Sequence, residues 1–252
     1  MRRTLICLLS CLMMYGLYMY TLPAADPAAE TANASAQPRV SARITIPAVR
    51  LYAVSLGRFD TQTEGLPYAA AYSARGAAGC LVETENGWEL LGAGYPTSAE
   101  ADSACAGIKA NESIPANVVL FSADSAKVSV SATQSQTSAL TRALELLESV
   151  PAEIAGLSRM IDSGTCDPET ARSLAAARYT EVSGELEKLS AELGATADIF
   201  CRMTETGLYE LCESLRVICA EGAPSGLQLS SLMKQCSIET TLYMVNMLHT
   251  LS

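Results

Sequence analysis

GRFDTQTE, residues 57–64, is echoed further along the chain by AGYPTSAE, residues 93–100. Phe59 aligns with Tyr95, Thr61 with Thr97 and Glu64 with Glu100. Thr-x-x-Glu is the pattern of a capping box, in which the hydroxyl accepts from a backbone N–H inside the first helical turn and the carboxylate reaches back to the cap. Each octet therefore predicts a helix start. The aromatic residue two positions earlier predicts the end of a strand, its ring plugging the core as the chain turns. Pro67 lies past the first turn of the first helix, which predicts either a kink there or a start nearer Thr63.

Working outward, VRLYAVSLG (49–57) alternates and is rich in β-formers, so it predicts a strand leading into a helix over 61–75. Gly76 suits the residue just past that helix. AAGCLVET (77–84) and WELLGAGY (88–95) flank Asn86-Gly87, the dipeptide of a tight hairpin. A second helix is predicted over 98–110, a fourth strand at NVVLFS (117–122) and an added edge strand at AKVSVSA (126–132). The order β-α-β-β-α-β is the split βαβ, ferredoxin-like plan, with both helices on one face of the sheet and the other face open.

From 134 to 252 the pattern is helical throughout. Leu140, Ala143, Leu144, Leu147 and Val150 recur at helical spacing, and Pro151 predicts the opening of a further short helix over 151–163. Asp167-Pro168-Glu169 reads as cap, first-turn proline and acidic first turn. Helices over 196–220 and 227–249 complete an expected four- or five-helix antiparallel bundle.

The N-terminus carries Arg2 and Arg3 before an uncharged apolar run from Leu5 to Leu22. At about 18 residues the run is just long enough to span hydrocarbon, and the arginines orient it with its N-terminus in the cytoplasm. A cleaved signal segment is the rival reading, and Leu8-Leu9-Ser10-Cys11 has the look of a lipoprotein box that comes too early. Each of these exports the rest of the chain. Residues 23–41, rich in Ala and Pro, read as a flexible linker. The expected organisation is thus an anchor or signal at 1–22, a linker at 23–41, an α+β domain at 42–131 and a helical bundle at 134–252.

The 252 residues carry a net charge of −10, which excludes the basic stripe that nucleic acid requires. Of nine cysteines, Cys7 and Cys11 fall in the apolar run, and the remaining seven contain no C-x-x-C pair. Cys201, Cys212 and Cys219 share a helical stripe and read as small core residues. The single histidine is His249, in the last turn of the last helix. Glu83, Glu85 and Glu89 around the hairpin read as a solvated turn rather than paired catalytic acids. No catalytic residue, metal site or cofactor is predicted, and the chain reads as non-enzymatic.

The residues Tyr52, Val54, Leu56, Gly57 and Phe59, with Trp88 and Leu90 and the capped helix after Tyr95, resemble the SPOR domain, the sporulation-related repeat. The resemblance covers about 46–131. Ser55 stands where that family usually has Gln, and Gly92-Ala93-Gly94-Tyr95 departs from its Val-Gly-Pro-Phe. The resemblance implies an anchored, extracytoplasmic protein that binds peptidoglycan glycan strands on the open sheet face during wall remodelling, division or sporulation. Strand parity puts Ala53, Ser55 and Gly57 on that face, with Glu89, Leu91 and Ala93 beside them. Ser55, by family position, and Glu89 and Leu91, by parity, are the candidate ligand contacts. The alternative is an envelope scaffold whose bundle docks a protein partner while the sheet binds no glycan.

Overall fold

The computed structural model describes residues 38–112, 114–193, 198–220 and 225–252. The expected membrane segment at 5–22 and most of the linker lie outside these residues. Among the described residues no helix is long and apolar enough to cross a membrane. The fold is α+β, with six helices and two antiparallel sheets among the described residues. In chain order the elements are β1 (Val40–Ile46), β2 (Val49–Phe59), α1 (Gln62–Ser73), β3 (Cys80–Thr84), β4 (Gly87–Tyr95), α2 (Ser98–Glu112), β5 (Asn117–Ala123) and β6 (Ala126–Ala132). Four long helices follow: α3 (Gln134–Asp162), α4 (Pro168–Leu193), α5 (Ile199–Cys219) and α6 (Gly226–Leu251).

The four-stranded sheet runs β3-β4-β2-β5, antiparallel throughout. The connections through α1 and α2 each skip one strand, as the split β-α-β order requires. Val54, Leu56 and Leu90 pack with Ala69 of α1 and with Ala101 and Cys105 of α2, so both helices cover one face. Thr61 caps α1 with the full reciprocal box: its hydroxyl accepts from the Glu64 N–H, and its own N–H donates to the Glu64 carboxylate, both at 3.3 Å. The cap is Thr61 rather than Thr63, and the helix runs on through Pro67. At the second octet the Glu100 N–H donates to the Thr97 hydroxyl at 3.3 Å, while that hydroxyl donates to the Glu100 side chain at 2.9 Å. In the β3–β4 turn Gly87 has φ 109°, and a Cβ there would stand 2.6 Å from the Phe59 carbonyl oxygen.

Two expectations are corrected. AKVSVSA does not extend the four-stranded sheet; β6 pairs instead with β1, from Val40↔Ala132 to Ile46↔Ala126, as a separate ribbon. The ribbon's inward residues Ile44, Ile46, Val130 and Ala132 are buried in the core of the bundle. Burying this apolar face is worth more than lengthening a sheet edge. The break at Pro151 is also absent, and α3 is continuous from Gln134 to Asp162. Its buried stripe, including Leu147, Val150 and Ile154, continues across the proline, so packing offsets the lost helical hydrogen bond.

The helices neighbour one another in the order expected of an antiparallel bundle, with α3 packed on α4 and α6, and α5 on α4 and α6. Arg39–Ser252 form one compact unit, so the sheet module of 42–131 and the bundle of 134–252 share packing rather than standing apart.

Candidate functional site

The sheet face opposite α1 and α2 is the candidate site, and it is not open. Leu51, Ala53, Ala78, Cys80 and Leu91 pack around Ile238 of α6, with Val82, Phe121 and Leu242 at the margin. The expected parity holds for Ala53 and Leu91 but not for Ala93: a register shift pairs Ala93 with Val54 and Gly94 with Ala53, so Gly94 faces α6 in its place. The expected exposure is also absent. The physical reason lies in α6, whose buried residues do not form a single stripe. Leu229, Met233, Cys236, Met244 and Met247 face the bundle, while Ile238 reaches the sheet. A helix apolar on more than one side must be covered on more than one side.

Close approach is possible because β4 presents glycine there. A Cβ on Gly94 would lie 2.6 Å from Leu51 Cδ1 and 3.3 Å from Ile238 Cγ1. Polar contacts fix the N-terminal half of α6 to the loop after α1. Ser231 donates to the Ala77 carbonyl and Lys234 to the Gly76 carbonyl, each at 2.6 Å. Lys234 also pairs with Asp162 of α3 at 2.7 Å, and the Asp162 carboxylate accepts from Ser230 at 2.6 Å. One lysine thus ties together the sheet module, α3 and α6.

The three candidate contacts are brought together, but under cover. Leu91 is fully buried in the cluster with Ile238. Ser55 is 0% and Glu89 2% exposed. The Ser55 hydroxyl donates to Glu89 Oε2 at 2.5 Å, and Arg58 Nε donates to Glu89 Oε1 at 2.5 Å. Arg58 and Glu89 are directly opposed cross-strand partners beside irregular register at Ser55. Both carboxylate oxygens are therefore engaged inside the protein, and Arg58, half-exposed, carries the charge pair out to solvent. Glu83 and Glu85 are exposed and do not join Glu89 in an acid pair. In this arrangement Ser55, Glu89 and Leu91 are all closed to a sugar, and Leu91 lies against Ile238 of α6.

The seven cysteines among the described residues are all unpaired. Burial, with Glu239 and Cys236 nearby, pushes the Cys80 thiol well above its ordinary range. Burial, with Glu239, pushes Cys236 up to about 12. Thiols held neutral in this way are poor nucleophiles and metal ligands. No group of three His, Cys, Asp or Glu side chains placed to hold a metal occurs among the described residues.

No family model, characterised protein or solved structure matches this chain.

Proposed function

We propose that this chain is an exported, membrane-anchored scaffold of the bacterial cell envelope, built on a SPOR-type, ferredoxin-like module that its own bundle keeps closed. The bundle, rather than the sheet, engages the partner, and that partner is a protein. The observation that carries this reading is α6 lying across the face on which a SPOR domain would receive a glycan strand. Leu174 on α4 and Ile199, Tyr209 and Val217 on α5 are exposed apolar side chains, on the two helices that pack on other helices rather than on strands. They support a protein-binding role for that side of the bundle.

A second reading keeps peptidoglycan glycan strands as the ligand. The first-strand residues from Tyr52 to Phe59 support it, and it requires α6 to leave the sheet. Co-sedimentation of the full chain with purified sacculi, untreated and stripped of stem peptides by an amidase, separates the two. The scaffold reading expects the protein in the supernatant in both cases. Pelleting that depends on stripped glycan overturns it in favour of glycan binding.

A further inference from the structure

Where the bundle meets the end of the sheet, a cavity of about 300 Å³ is left between α3, α6 and the β2 and β4 ends. On α3 it is lined by Glu148, Ala152, Ala155 and Arg159. These positions form one face of the helix at spacings of four, three and four. Small alanines make the floor, and opposite charges stand at its two ends, about 16 Å apart along the axis at 1.5 Å per residue. Neither Glu148 nor Arg159 has an ion-pair partner among the described residues, and Arg50 lines the same cavity without one.

One further hydrogen-bonding group lies at this space. Ser237 of α6 lines it, is only 6% exposed, and its hydroxyl has no hydrogen-bond partner among the described residues. Its neighbour one turn on, Thr241, is satisfied by the Ser237 carbonyl at 2.7 Å, so the orphan is Ser237 alone on this stretch of the wall. The Ser237 hydroxyl is not cut off from solvent, so a ligand entering the cleft can replace the water that serves it.

We propose that this cleft binds a short extended peptide of small residues, its amino end at Glu148 and its free carboxylate at Arg159. The Ser237 hydroxyl meets the peptide backbone between them. Charge and length select this occupant. The Glu148 carboxylate suits an ammonium group, and the Arg159 guanidinium suits a carboxylate. Three extended residues span about 10 Å at 3.3–3.6 Å each, and the Glu and Arg side chains reach inward over the rest. The volume is at the small end for ligand sites and corresponds to about ten waters, which admits two or three residues of alanine size and excludes bulky ones. The cleft exists only while α6 lies on the sheet, so the inference rests on the closed arrangement of the proposed scaffold.

Calorimetric titration of the full chain with tri-alanine tests it, beside the N-acetylated and C-amidated forms of the same peptide. Tri-alanine is expected to bind, and capping either end is expected to weaken binding at least tenfold. Arg159→Gln should weaken the free peptide to the level of the amidated one and leave the amidated one unchanged; Glu148→Gln should do the same for the acetylated form. Both residues are exposed, so both variants should keep the parent thermal midpoint. A dissociation constant above roughly 1 mM, the weak end of the affinity scale, overturns the proposal. So does equal affinity for the three peptides, or an Arg159→Gln variant that binds as the parent does. Sacculus co-sedimentation reports on the sheet face alone. A chain that stays in the supernatant yet ignores tri-alanine therefore counts against the cleft and not against the scaffold.

Discussion

Ile238→Ala tests the closed sheet most directly. Ile238 is 0% exposed and is the α6 side chain at the centre of the cluster formed by Leu51, Ala53, Cys80 and Leu91. The substitution removes three carbons, worth about 2.4 kcal/mol at roughly 0.8 kcal/mol each. The void left between two rigid elements adds a cavity penalty, so the expected total is about 3 kcal/mol, within the 2–5 kcal/mol usual for such truncations. Leu66→Ala on α1 is the control, because Leu66 is 53% exposed and should change stability by no more than about 0.5 kcal/mol. Urea unfolding followed by circular dichroism reads both. Native-state hydrogen exchange should show added opening in β2 and β4 as well as in α6, because the two sides share the lost contact. If Ile238→Ala costs less than about 1 kcal/mol, or loosens α6 without touching the strands, α6 does not cover the sheet in solution and the scaffold reading loses its footing.

Gly94→Ala should destabilise by about 1–3 kcal/mol in the same assay, since its methyl would overlap Leu51 and crowd Ile238. Glu89→Ala strands the Ser55 hydroxyl and the Arg58 guanidinium; because Arg58 can rehydrate, the expected loss is only about 1–2 kcal/mol, and Glu89→Gln should lose less. Cys236 has an ordinary value of 9.0 raised to about 12 in the fold, so the neutral thiol is the form that folding favours. Its contribution is complete below pH 9 and drains away as pH rises toward about 12, at roughly 1.4 kcal/mol per pH unit. Thermal melts across that window should show this slope diminish in Cys236→Ala, and alkylation at pH 8 should label the half-buried Cys166 well before Cys236. Thr133→Ala, which removes the box that joins Thr133 and Gln136 at the start of α3, should cost about 1 kcal/mol.

Much of the local structure was legible because it is written in short-range patterns. Thr61 and Glu64 announce α1, Asn86-Gly87 announces the hairpin, Asp167-Pro168 announces α4, and alternation along 49–57 sorts Val54 from Ala53 onto opposite faces. The candidate site was legible only in part. Parity correctly grouped Ser55, Glu89 and Leu91 on one side of the sheet, yet gave no account of what lies over them. The signal for that was present in α6, whose apolar residues occupy more than one side of the helix, but several arrangements satisfy such a helix equally well. The same limit hid the β1–β6 ribbon. VSARITI and AKVSVSA each alternate, and nothing in either names its partner across the intervening chain.

The sequence alone determined the starts of α1 and α4 and the β3–β4 turn, because caps and turns act over a few residues; it missed β1, the continuity of α3 through Pro151 and the register shift at Ala93. Tertiary structure alone decided which apolar face meets which. That choice depends on the summed burial and steric fit of segments far apart in the chain: Ile238 against Leu91, Gly94 letting α6 approach, Lys234 joining Gly76 to Asp162. Those contacts turned an expected open platform into an interior. They also left, at its end, the cleft between Glu148 and Arg159.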